Sequence, residues 1–142
     1  VITQNIDGLH QAAGSKTVLE LHGSTLRNYC MKCGRFYDQN AILESTGVPH
    51  YECGGVIKPD VVLYEESLDQ HTLTKALDAI EHADMLIIGG TSLAVYPAAS
   101  LVNYYRGDRL VLINKSTTPM DQNANLAIQG SIGEVLGAIQ VR

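Results

Sequence analysis

The sequence predicts an α/β fold, in which a mainly parallel sheet has helices on both faces and carries a small inserted module. In residues 60–142, short apolar strands alternate with segments of helical period, which is typical of a parallel sheet covered on both sides. Residues 27–58 are instead polar, contain Cys and Gly, and have little period. We therefore expect residues 1–26 and 59–142 to form one domain, with residues 27–58 as the inserted module.

The first predicted elements are two strands. Val1-Ile2-Thr3 is typical of the second half of a buried strand, and it has no initiator Met. We therefore expect the amino-terminal part of the domain to be missing from this sequence. Further along, Leu19 and Leu21 share one face of a second strand, and His22 ends that strand.

The later elements are predicted from apolar spacing and capping signals. Apolar residues at i, i+3, i+4 and i+7 predict a helix over residues 69–82, and the capping-box spacing of Ser131 and Glu134 predicts a closing helix. The all-apolar run Met85–Ile88 is bounded by glycines, which predicts a strand buried on both faces. The other predicted elements are a helix from Pro97 to Tyr105 and strands at Arg109–Ile113 and Leu126–Ile128.

The composition narrows the class of protein. The 142 residues carry a net charge of −5 with 10 Lys and Arg, and 45% of them are hydrophobic. This length suits one domain with a core of its own. The low basic content argues against a nucleic-acid or membrane-surface partner held by a basic patch. No apolar run approaches the ~20 residues of a membrane span, so we expect a soluble globular chain without a membrane partner.

The cysteines predict a zinc site. Two residues separate Cys30 from Cys33, and the same spacing counted back from Cys53 gives His50. A Cys3His set of ligands suits tetrahedral zinc. An odd number of cysteines does not suit a disulfide framework and indicates a reducing, cytoplasmic compartment. The alternative is that the cysteines are simply small apolar residues.

Polar clusters follow the predicted strands, at the ends where parallel sheets bind ligands. After the first strand come Gln4, Asn5 and Asp7, whose amides and carboxylate suit a sugar hydroxyl or a carboxamide. Their alternative is a capped turn entering a helix, with Asn5 or Asp7 bound to backbone. His22 is a candidate general base, because imidazole is the usual one. Alternatively it is a hydrogen-bonded structural residue.

Two further clusters are candidates for nucleotide contacts. Gly90, Thr91 and Ser92 follow an apolar strand, where glycine permits close backbone approach and hydroxyls can reach phosphate or ribose. Asn114 ends the next strand and is a candidate ribose or base contact. Because many α/β turns have this composition, the alternative is that these residues only shape turns.

Taken in their order along the chain, these motifs resemble those of the sirtuin family of NAD-dependent protein deacylases. Residues 3–10 match the family's TQNIDGLH motif at all eight positions. The further matches are Leu21-His22-Gly23, the cysteines with Gly54 and Gly55, Lys58-Pro59-Asp60-Val61-Val62, Gly90-Thr91-Ser92-Leu93 and Ile113-Asn114. The resemblance covers essentially the whole chain. It implies a Rossmann-like sheet and the carboxyl-terminal two-thirds of a catalytic domain.

The resemblance also implies an activity: the acyl group of an acylated lysine passes to the ADP-ribose part of NAD, and nicotinamide is released. His22 would act as general base on the ribose hydroxyls, with Asn5 as the second catalytic residue. The implied NAD contacts are Gln4, Asn5, Asp7, Gly90, Thr91, Ser92 and Asn114. The implied contacts to the acylated-lysine protein, by main-chain pairing, are Val61, Val62, Val95 and Tyr96. The implied ligands of a structural zinc are Cys30, Cys33, His50 and Cys53.

Three departures from the family pattern bear on function. Tyr64-Glu65-Glu66 stands where the family has Phe-Gly-Glu, which adds charge beside the peptide groove, and His50 stands in place of the third zinc Cys. The family's first third, with a GAGxS phosphate loop, is not in this sequence, so we expect the 142 residues alone to be inactive. Two other functions keep the same site: transfer of ADP-ribose to a protein acceptor, and non-enzymatic NAD sensing.

Overall fold

The computed structural model describes residues 1–140 and confirms the α/β fold class. The chain divides into two compact units, Val1–Leu73 and the residues from Thr74 onward, and each has its own sheets. None of the helices within residues 1–140 is both long and apolar enough to cross a bilayer.

The first unit begins with a small parallel sheet. Strand β1 (Ile2–Thr3) pairs in parallel with β2 (Leu19–Glu20), and helix α1 (Leu9–Ala12) lies between them in the chain. The predicted second strand is shorter than expected, because it ends at Glu20 and a turn carries the chain through His22. Leu21 is buried in that turn, and its N–H donates to the carbonyl of Thr3 over 2.9 Å.

The inserted segment folds around an antiparallel sheet. Strand β3 (Gly23–Cys30) lies between β4 (Phe36–Tyr37) and β5 (Ile57–Val61), and helix α2 (Gln39–Leu43) follows β4. The predicted module boundary at residue 27 lies inside β3, and the division into domains remains a prediction. Sequence periodicity does not reveal β3, because two of its three buried residues are the polar Ser24 and Asn28.

The second unit contains a parallel sheet of three strands. Strand β7 (Leu110–Asn114) is central, with β6 (Leu86–Gly89) on one side and β8 (Leu126–Gln129) on the other. Helix α3 (Gln70–Glu81) precedes the sheet and buries Ala76 and Ile80, close to the predicted bounds of 69–82. The sheet is parallel throughout, as the strand–helix alternation predicts.

One local prediction is wrong, and two predicted helices are confirmed in position but differ in detail. The segment after Pro97 is a 3₁₀-helix over Ala98–Tyr104, because its turns close between residues three apart. Strand β6 is not buried on both faces, since Ile87 is 47% exposed, and an all-apolar run does not show which face is covered. Ser131 lies at the N-cap of helix α4 (Ile132–Gly137) without a side-chain capping bond. The start of α4 instead packs Ile132 against Gly89, where a Cβ would be 2.1 Å from its methyl carbon.

Gly23 marks the closest approach of two strands in the first unit. Its φ is +77°, in the left-handed region that favours glycine, and an added Cβ would lie 1.8 Å from the carbonyl oxygen of Asp60. The backbones of β3 and β5 can therefore meet directly after His22 only because residue 23 has no side chain.

The variant Gly23→Ala is expected to lose about 2–5 kcal/mol of unfolding free energy, because it combines left-handed backbone strain with a main-chain clash. The matched control is Gly47→Ala, because Gly47 has a φ of +75° but no atom within 4 Å of an added Cβ. That control is expected to lose only the backbone cost of about 1–2 kcal/mol. Urea denaturation of the complete gene product measures both losses, and equal losses would contradict the proposed clash.

Candidate active site and metal centre

A cavity of about 410 Å³ in the first unit brings together six of the predicted site residues. The parallel pairing of β1 with β2 places the residues after these two strands side by side, and the end of β5 completes the cavity. Its lining residues are Gln4, Asn5, Ile6, Asp7, His22, Val61 and Val62. Ile6 is an addition to the predicted set, because an aliphatic residue carries no chemical signal in the sequence.

His22 is held at the cavity by two contacts. Its ring Nδ1 lies 3.1 Å from the carbonyl oxygen of Gln4, and its own carbonyl accepts a hydrogen bond from Val62 N–H over 3.0 Å. A carbonyl can only accept, so the proton of the neutral imidazole is assigned to Nδ1. Nε2 then carries the lone pair, which is the arrangement that a general base needs.

Asp7 binds backbone, which is one of the two interpretations that the sequence leaves open. Its Oδ1 accepts the N–H of Leu9 over 3.0 Å at the start of α1, and Asp7 is also one of the residues that line the cavity. Gly8 between them is buried and has a φ of +70°. Asn5 lies on the other side of the turn, exposed, with its N–H donated to the Thr3 hydroxyl over 3.0 Å. The bond to Leu9 therefore restricts the orientation of the Asp7 carboxylate beside the cavity.

The predicted nucleotide contacts of the second unit lie at the carboxyl ends of β6 and β7. Gly90 N–H donates to the carbonyl of Ile113 over 3.1 Å, which places the Gly90–Ser92 turn beside the end of the strand that carries Asn114. Asn114 also shapes its own turn, because its side-chain amide donates to the carbonyl of Ser116 over 3.0 Å. The assignment of these residues to NAD remains a prediction.

The predicted peptide contacts Val95 and Tyr96 precede the 3₁₀-helix of the second unit. Their side chains are 52% and 74% exposed. The carbonyl of Val95 accepts the N–H of Ala99 over 2.9 Å. Their role opposite Val61 remains a prediction.

Three thiols converge at the end of β3. The sulfur atoms of Cys30, Cys33 and Cys53 lie within 4.8 Å of one another, with 3.4 Å between Cys30 and Cys53 and 3.6 Å between Cys53 and Cys33. Two thiolates on a tetrahedral zinc ion lie about 3.8 Å apart. The three thiols therefore fit zinc, and they would be its ligands.

A backbone N–H group favours the thiolate form of one of these cysteines, Cys30. A hydrogen bond from the backbone of Cys33 lowers the pKa of the Cys30 thiol to about 7, and zinc binds thiolates rather than thiols. Gly55 makes the approach of the loop possible, since an added Cβ would lie 2.5 Å from the Cys30 sulfur.

His50 is not in the thiol cluster. Its Nδ1 lies 2.7 Å from the carbonyl oxygen of Val48, and its backbone forms a bridge with Val56. The structure therefore brings together three of the four predicted zinc ligands and leaves the fourth outside. The equal spacing of the Cys-x2-Cys and His-x2-Cys pairs predicts His50 as a ligand, but spacing alone does not determine where a side chain points.

A family comparison identifies the fold that holds this cavity. Residues 1–97 match the model of the Sir2 family. The chain belongs to the Sir2 family. These are the sirtuins, so the resemblance carried by residues 3–10 and the later motifs is confirmed.

Sir2-family relatives match the chain over nearly its whole length. A Clostridium perfringens protein named NAD-dependent protein deacetylase is 65% identical over 141 residues, which cover 98% of this chain and 58% of that protein. A Clostridium tetani protein of the same name is 58% identical, over 98% of this chain and 57% of its own length. The chain therefore spans less than two thirds of the curated relatives that it matches.

Solved Sir2 structures share the fold. A structure described as "Sir2-p53 peptide-NAD+" matches with a TM-score of 0.87 and 42% identity, over 95% of this chain and 59% of that one. Another structure, described as "Sir2 bound to acetylated peptide", matches with a TM-score of 0.87 and 41% identity. The match covers 95% of this chain and 59% of that chain.

The departure from the family's Phe-Gly-Glu has a visible structural consequence. Glu65 stands at the glycine position, and its φ is +70°. The neighbouring Glu66 N–H donates to the carbonyl of Leu63 over 3.1 Å, so residues 63–66 form a tight turn. Glu65 therefore adopts a left-handed conformation that glycine would adopt without strain.

The zinc site can be tested by removing single ligands. Cys53→Ser is expected to lose bound zinc, because it removes the sulfur that lies within 3.6 Å of both other thiols. His50→Ala is expected to keep zinc, because His50 is outside the cluster. Zinc content after dialysis, together with the rate of zinc release to a chromogenic chelator, measures both. If His50→Ala lost zinc as readily as Cys53→Ser, the sequence-based assignment of His50 would stand.

Proposed function

We propose that the protein containing this chain is an NAD-dependent protein lysine deacylase. The observation that carries the proposal is His22, fixed through Nδ1 in a cavity with Gln4, Asn5 and Asp7, beside the end of β5. The relatives named NAD-dependent protein deacetylase and the Sir2 structures with NAD and acetylated peptide support it.

Each polar residue of the cavity has a part in the proposed reaction. NAD would supply the ADP-ribosyl group: its bond to nicotinamide would break, the ribose would accept the acyl group, and water would supply the oxygen and hydrogen atoms that free the lysine amine. The amide side chains of Gln4 and Asn5 orient the ribose, and the Asp7 carboxylate pairs with the carboxamide. His22 receives a proton from a ribose hydroxyl at Nε2, while the Gln4 carbonyl keeps the ring in place.

An extended peptide is the proposed substrate form. Val61 and Val62 line the same cavity as His22, so a peptide strand paired along β5 would bring an acylated lysine to the general base. Gly90, Thr91, Ser92 and Asn114 are the proposed contacts to the adenosine and phosphate side of NAD. The zinc ion is proposed to be structural.

The proposed location is cytoplasmic, because free cysteines are usual in a reducing compartment.

The activity is tested with the complete gene product, NAD and an acetyl-lysine peptide. Nicotinamide, deacetylated peptide and O-acetyl-ADP-ribose are expected in equal amounts. His22→Ala is expected to reduce turnover by about 10²–10⁴-fold, because a general base contributes that much. The matched control is His71→Ala, an exposed histidine outside the cavity, which is expected to leave turnover unchanged.

The same experiment separates the two other functions. ADP-ribose attached to a protein acceptor, without O-acetyl-ADP-ribose, would indicate a transferase. NAD binding without any turnover, equal in wild type and His22→Ala, would indicate a sensor and would overturn the deacylase proposal.

A further inference from the structure

Strand β5 presents one edge to β3 and the other edge outward. At the start of β5, the carbonyl of Val56 accepts a hydrogen bond from Met31 N–H over 2.8 Å. Just after its end, Val62 N–H donates to the backbone carbonyl of His22 over 3.0 Å. Because main-chain groups alternate in direction along a strand, the even-numbered residues face β3 and the odd-numbered residues face away from it.

The outward edge of β5 follows this alternation. Ile57 N–H donates to the carbonyl of Pro49 over 2.9 Å, on the side away from β3. Pro59 has no N–H, as expected of a residue at a sheet edge. Val61 is the next outward residue, and β5 is an edge strand of its sheet within the described residues. Val61 and then Leu63 are therefore the positions with which an added strand would pair.

Two side chains form hydrogen bonds with the main-chain groups at these positions. The Lys58 ammonium donates to the carbonyl oxygen of Val61 over 3.1 Å, and Glu66 Oε2 accepts the N–H of Leu63 over 2.8 Å. Lys58 Nζ and Glu66 Oε2 are themselves 3.5 Å apart, so they form one ion pair across the edge. The Leu63 N–H also holds the pKa of Glu66 below its usual range, so the carboxylate is charged at neutral pH.

A peptide strand and this ion pair compete for the same atoms. A backbone N–H has one hydrogen to donate, so Glu66 must leave Leu63 before a peptide carbonyl can take its place. The Val61 carbonyl has two lone pairs and Lys58 occupies one of them, so a peptide N–H would have to share this acceptor with a charged donor. Edge strands are often protected from unwanted pairing by charged side chains, and lysine is the common choice.

We propose that Lys58 and Glu66 form an edge cap, which closes the peptide-binding edge of β5 until a substrate peptide displaces it. The proposal rests on the deacylase function, because it concerns the peptide groove of that site. Val61 belongs both to the capped edge and to the cavity of His22, so the cap stands directly beside the reaction site. Lys58 and Glu66 thus set peptide affinity, without contacting the reacting atoms.

The cap is tested by the binding of an uncharged acetyl-lysine peptide to the complete gene product, measured by calorimetry without NAD. Lys58→Met and Glu66→Gln are each expected to bind the peptide about two- to tenfold more tightly, because one hydrogen bond no longer has to be broken. The gain is expected to shrink in high salt, where the exposed ion pair of the wild type is already weakened.

Two controls separate the cap from general effects of charge and stability. Glu65→Gln removes the neighbouring carboxylate but leaves the cap intact, and it is expected to bind like wild type. Lys58→Arg keeps a cation at the edge and is also expected to bind like wild type. In turnover assays, Lys58→Met is expected to lower KM and leave kcat unchanged, which a merely destabilised fold would not do.

The outcomes distinguish this proposal from the proposed function. Equal or weaker peptide binding by Lys58→Met and Glu66→Gln would overturn the cap, even if the enzyme deacylates. Tighter binding by both variants without turnover would uphold the cap and overturn the deacylase activity. No binding by wild type and by both variants would overturn the cap, since opening the edge should expose a binding site.

Discussion

Gly23 has no side chain, and its backbone lies so close to Asp60 that a Cβ would be 1.8 Å from the carbonyl oxygen. The remaining geometry of the first unit depends on this approach. It sets the register in which Gly23 faces Val61, so that the residue before Gly23 and the residue after Val61 can share a hydrogen bond. His22, the proposed general base, and the end of β5, the proposed peptide edge, are therefore held in one cavity by backbone pairing.

Several residues of the cavity have a structural role beside the chemical role that we propose for them. The Asp7 carboxylate binds the N–H of Leu9 at the start of α1, and the Gln4 carbonyl lies 3.1 Å from His22 Nδ1, while both residues line the cavity. For such residues, a structural interpretation and a functional one are not alternatives, because a side chain that is fixed by backbone bonds is preorganised for its ligand. Of the two interpretations that the sequence leaves open for Asp7, the structure shows the bond to backbone, and the ligand role remains a prediction that this bond does not exclude.

An element or a site can be predicted from the sequence only where the residue types or their spacing reveal it. Helix α3 and the parallel strands are predicted to within one or two residues, because apolar spacing marks them directly. Strand β3 is missed, because the side chains that it buries include Ser24 and Asn28. The three thiols are predicted from their type, whereas the direction of the His50 ring toward Val48 is set by local backbone that no spacing rule describes.

The turn after β5 shows how a departure from the family pattern bears on function. A non-glycine residue at the left-handed position of Glu65 costs roughly 1–2 kcal/mol relative to relaxed backbone. The turn closes nonetheless, because Leu63 exchanges two hydrogen bonds with Glu66, one through the Glu66 backbone and one through its carboxylate. The free energy that the two hydrogen bonds contribute is similar in size to the free energy lost to backbone strain. Opening the turn therefore requires little free energy. A cap on the peptide edge must be both formed in the free protein and easily displaced, and a strained turn closed by two hydrogen bonds meets both requirements.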